Sequence, residues 1–121
     1  MQGIYTEDQR IKLIDKEYKR ITKDVNGLGE RATLEKLYRE AAFMAVTLDE
    51  TRQIINRDGI TEVYQNGANQ TGLKKSAAVE VYDKMVNTYA KVVGQISREQ
   101  PQGDQADPAA ELMAFVRQGQ R

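Results

Sequence analysis

Cysteine, histidine and tryptophan are all absent from the 121 residues. Without cysteine there is no disulfide framework, no thiol nucleophile and no zinc–thiolate centre. Without histidine the commonest general base and the commonest metal ligand are missing as well. Proline occurs twice and aromatic residues make up 7%, against 40% hydrophobic and 30% charged residues, with a mean hydropathy of −0.67. No apolar run approaches the roughly 20 residues needed to cross a bilayer, and no signal-peptide pattern opens the chain. A glycine-rich phosphate loop of the GxxxxGK[ST] type is lacking too; Gly72 to Ser76 (GLKKS) is not one. These absences lead us to expect one cytoplasmic, non-enzymatic domain with no metal, no cofactor and no membrane partner.

A net charge of either sign is also missing: 18 basic residues meet 18 acidic ones. Dedicated nucleic-acid binders are usually basic overall, so local charge has to carry any such reading. Six basic residues (Arg10, Lys12, Lys16, Lys19, Arg20 and Lys23) stand against Asp15 and Glu17 between positions 10 and 23. Glu7, Asp8 and the C-terminal tail restore the balance.

Hydrophobic periodicity organises the rest. Thr6 to Gln9 reads as a capping box, and Ile11, Ile14, Tyr18, Ile21 and Val25 follow at helical spacing until Asn26-Gly27. A second helix is expected over about 30–56, with a wide apolar face and a stop at Asp58-Gly59. Residues 60–75 break the period and read as a long loop, although Ile60 to Tyr64 is briefly strand-like and Asn66-Gly67 is a turn signal. Ser76 caps a third helix carrying Val79, Tyr82, Val86, Tyr89, Val93 and Ile96 in heptad spacing. The expected fold is therefore all-α: a hairpin of two long helices with an N-terminal helix, a long central loop and a short tail helix.

The domain is expected to cover residues 1–98, with 99–106 a linker and 107–121 a partner-docking segment. Asp107-Pro108 starts the tail helix, whose large apolar residues are Leu112, Met113, Phe115 and Val116. Three helices leave apolar surface over, so self-association is expected through Leu37, Phe43, Val79, Tyr82, Val86, Tyr89 and Val93.

Few residues suggest chemistry. Glu80/Asp83, Asp104/Asp107 and Asp49-Glu50 are carboxylate pairs of a kind common on solvated helix faces, and that is how we read them. The first helix says more. At 100° per residue, Lys12, Lys16, Lys19, Arg20 and Lys23 fall within a sector of about 100°, roughly opposite the apolar stripe. Such a face suits the phosphate backbone of DNA, the plainer reading being a lysine-rich solvated surface. Lys74 and Lys75 stand just ahead of the Ser76 cap, where a helix N-terminus attracts anions, and are the second candidate.

The run from Leu34 to Ile96 resembles the helical small terminase subunits of tailed phages and prophages. Three pieces carry the resemblance: Ala41-Ala42-Phe43-Met44-Ala45-Val46-Thr47-Leu48, then Tyr64-Gln65-Asn66-Gly67, then Lys74-Lys75-Ser76 leading into a helix with Val-Tyr and a late Tyr. The resemblance implies a non-catalytic DNA-packaging component of the infected bacterial cytoplasm. It would form a homo-oligomeric ring, bind double-stranded viral DNA, and deliver it to the large terminase subunit, which owns the ATPase and nuclease. Leu112, Met113, Phe115 and Val116 would then dock that large subunit. No clear helix-turn-helix precedes the oligomerising helices. A helical protein–protein adaptor without nucleic-acid binding is the alternative.

Overall fold

The computed structural model describes residues 2–68 and 70–99. Helix α1 (Glu7–Thr22) opens on the capping box: the Thr6 hydroxyl accepts from the Gln9 amide at 3.2 Å, and the Gln9 side chain accepts from the Thr6 amide at 2.9 Å. Gly27, in the left-handed region at φ 67°, turns the chain through a short 3₁₀ turn at Leu28–Glu30 into α2 (Ala32–Asp58). Gly59, at φ 92°, ends α2 and donates its amide to the Ile55 carbonyl at 2.7 Å, a termination that only glycine takes without strain.

The expected central loop is a β-hairpin. Strands β1 (Thr61–Gln65) and β2 (Thr71–Lys75) pair antiparallel, with Val63 opposite Leu73, Glu62 opposite Lys74 and Tyr64 opposite Gly72. This corrects the all-α expectation to a helical fold with one two-stranded sheet. The second strand is held by its partners rather than by propensity. Lys74 lies 3.5 Å from Glu62, and the Tyr64 ring covers Gly72 so closely that a Cβ there would come within 2.9 Å of it.

Helix α3 (Ala77–Glu99) starts at Ser76, whose Oγ accepts from the Val79 amide at 3.2 Å. It runs back along α2: Ser76 N bonds the Ile60 carbonyl at one end, and Arg31 donates to the Glu99 carbonyl at the other. Helix α2 is thus the central element, packed on α1 and on α3. Leu34, Tyr38 and Leu48 of α2 form the core with Ile21 of α1 and Tyr89, Val93 and Ile96 of α3. Ala41, Ala42 and Ala45 are buried there, and their small side chains let the neighbouring backbones approach closely.

The tail residues Leu112, Met113, Phe115 and Val116, and the helix expected around them, lie outside the described residues.

Candidate nucleic-acid interface

Helix α1 has one face against α2 and the other in solvent. Ile21 is buried, while Ile14, Tyr18 and Val25 are half-buried against the core. Opposite them Lys12, Lys16, Lys19, Arg20 and Lys23 are all exposed, as the helical spacing requires. Two of the five are engaged: Lys19 lies 2.9 Å from Asp15, and Arg20 makes a two-pronged pair with Glu17 at 2.8 Å. Lys12, Lys16 and Lys23 have no carboxylate partner among the described residues. They project within about 40° of one another on the helix, so three uncommitted ammonium groups form a single ridge.

One side of this ridge slopes into an open cleft of about 320 Å³ between α1 and α2. Leu13, Ala45 and Val46 form its floor, and Lys16, Arg20 and Arg52 its basic rim, with Glu17 and Asp49 beside them. Arg52 donates to Asp49 at 3.2 Å.

Lys74 and Lys75 stand on the second strand, directly ahead of the Ser76 cap. Lys74 faces Glu62 across the sheet and Lys75 pairs with Asp83 of α3 at 3.2 Å.

The residues expected between subunits divide in two. Tyr89 and Val93 are buried in the chain's own core, a correction to that expectation, because this part of the α3 stripe packs against α2. Leu37, Tyr82 and Val86 are half-buried against the same core, and Val79 is half-buried. Phe43 remains exposed on α2. Further apolar surface lies where the sequence reading did not place it: Ile60, Val63 and Leu73 of the hairpin region are 65%, 72% and 69% exposed.

The acidic pair Asp49-Glu50 is not a solvated face. Glu50 is buried and accepts from the Ile4 and Tyr5 amides at 2.8 and 3.0 Å, and from Arg10 through both of its oxygens at 3.1 Å. The Tyr5 hydroxyl donates to Asp49 at 2.7 Å, and Gln53 donates to both. This cluster pins the segment ahead of α1 onto α2 and so sets the orientation of the basic face. Burial works to raise the Glu50 carboxyl, but Arg10 and the two amides outweigh it and hold the group below its ordinary value. Burial and the bond to Asp49 push the Tyr5 hydroxyl up. One sequence signal pointed to it: Val46, Glu50 and Ile54 share a helical row, a carboxylate between two apolar residues that both become buried.

Among the described residues no group of three acidic side chains is placed to hold a metal ion, and no helix is long and apolar enough to cross a membrane. Compared with family models, curated proteins and solved structures, the chain finds no match.

Proposed function

We propose that this chain is a packaging component of the small terminase type. In this reading it is a non-catalytic, self-associating protein that holds double-stranded viral DNA through phosphate contacts and hands it to a large terminase subunit. The observation that carries the DNA part is the α1 ridge, where Lys12, Lys16 and Lys23 are exposed without carboxylate partners among the described residues, while Ile14, Tyr18, Ile21 and Val25 on the opposite face are packed. The ridge offers point charges to phosphates and nothing that reads base edges, so binding is salt-dependent and weakly sequence-selective. One subunit supplies few contacts, and repeated copies in a ring supply the affinity. The resemblance of Leu34 to Ile96 to small terminase subunits supports the same reading, as does apolar surface left for self-association at Phe43, Val63 and Leu73.

The test replaces Lys12, Lys16 and Lys23 together by Glu and measures retention of a duplex of about 30 bp at low salt, where phosphate contacts weigh most. The expected result is loss of retention at unchanged oligomer mass. Unchanged retention overturns the assignment to α1. The second reading, a protein–protein adaptor, is favoured by the exposed apolar hairpin, and a wild-type chain that retains no DNA at low salt selects it.

A further inference from the structure

The positive ridge of α1 has a counterpart in the same chain. Residues 99–117 hold four acids (Glu99, Asp104, Asp107 and Glu111) against one basic residue, Arg117, and they also hold Leu112, Met113, Phe115 and Val116. An acidic and apolar segment of this kind needs an apolar floor with a basic rim. The cleft between α1 and α2 is such a place, with Leu13, Ala45 and Val46 below and Lys16 at the edge. Glu17 and Asp49 already pair with Arg20 and Arg52, which leaves Lys16, with Lys12 and Lys23 on the same ridge, to meet incoming carboxylates.

The chain can reach it. Helix α3 ends at Glu99, held by Arg31 at the start of α2, the end of the bundle where α1 also finishes. At 1.5 Å per residue, Ala45 lies about 20 Å along α2 from Arg31. The seven residues 100–106 span up to about 25 Å when extended.

We propose that residues 107–117 dock into the α1–α2 cleft of their own chain, apolar side chains on its floor and carboxylates toward Lys12, Lys16 and Lys23, and so screen the basic ridge. The docking stands on charge, apolarity and reach alone; its consequence for DNA rests on the function proposed above. A short tether gives an effective concentration in the millimolar range, so even weak docking competes with DNA. A partner that grips the tail uncovers the ridge.

Carbodiimide cross-linking of the full chain tests the docking, with the products mapped by mass spectrometry. The expected links join Asp104, Asp107 or Glu111 to Lys12, Lys16 or Lys23, and they disappear when Leu112 and Phe115 are both replaced by Ser. In parallel, the full chain carrying Asp104→Asn, Asp107→Asn and Glu111→Gln is titrated with duplex DNA. It is expected to bind about ten-fold more tightly than the parent at low salt, with the gap closing as salt rises. Links in a protein that binds no DNA support the docking and overturn the DNA reading. Absence of tail-to-α1 links overturns the docking, and so does an unchanged affinity in a neutralised chain that binds DNA.

Discussion

Glu50 shows how much one side chain decides in this protein. It is a buried carboxylate with four donors on it, and through Ile4, Tyr5 and Arg10 it ties the first residues and the start of α1 to the middle of α2. Replacing Glu50 by Ala leaves two backbone amides and a guanidinium without their acceptor. The expected loss is about 2–3 kcal/mol in urea unfolding, the range for breaking a buried, charge-assisted network. The same group makes stability depend on acid. Its carboxyl titrates lower folded than unfolded, so its contribution is complete above the unfolded value near pH 4.3 and is lost as pH falls through the folded one. Melting temperatures measured across pH 3–7 are expected to fall below about pH 4.5. The fall should be shallower in a Glu50→Gln chain; an equally steep fall there would assign the acid sensitivity to other groups.

The hairpin and the helix pair behave as different kinds of element. Apart from Gly72, half-buried under Tyr64, every residue of β1 and β2 is exposed. Two strands without a packed face are marginal on their own, so the hairpin opens locally rather than with the bundle. Gly67 sits at φ 88° in its turn, and Val at that position costs about 1–2 kcal/mol of backbone strain. Amide exchange across Thr61–Gln65 and Thr71–Lys75 is expected to speed up while the melting temperature of the helices stays put. A joint fall of both would mean that the hairpin belongs to the cooperative core. Tyr89 and Phe43 give the opposite contrast. Tyr89→Ala empties a core position at 3% exposure and is expected to cost about 3–5 kcal/mol. Phe43→Ala, at a position 45% exposed, changes unfolding free energy by well under half of that, about 1 kcal/mol at most.

Taken as one body, the chain is electrically neutral but not uniformly so: α1 presents a basic ridge and residues 99–116 an acidic run. Its apolar surface is uneven too, gathered at Ile60, Val63, Tyr64 and Leu73 of the hairpin region, with Ile11 and Phe43 exposed on the helices. A head-to-tail contact through such patches closes into a ring when the rotation between subunits allows it. Light scattering at micromolar concentration is expected to give a mass of several subunits. Phe43→Asp combined with Val63→Asp and Leu73→Asp should lower that mass with helical circular dichroism unchanged. A wild-type chain running as a monomer would overturn the self-association.

Much of this architecture follows from local rules that a linear chain states openly. The Thr6–Gln9 capping box, the Ser76 cap and the Gly59 stop are contacts over a few residues, and the 3.6-residue period places Ile21, Tyr89 and Ile96 inward and the α1 lysines outward. What local rules do not contain is which distant groups meet. Thr71-Gly72-Leu73-Lys74-Lys75 has little strand character, and it becomes a strand because Tyr64 and Glu62 lie opposite it. Glu50 looks like surface charge until Arg10, forty positions away, is folded against it. Whether the α3 stripe faces α2 or a second subunit was likewise open in the sequence, since both contacts use one heptad pattern; the packing of α3 on α2 turned Tyr89 and Val93 inward. Periodicity says which face of a helix is apolar, and only the tertiary structure says what covers it.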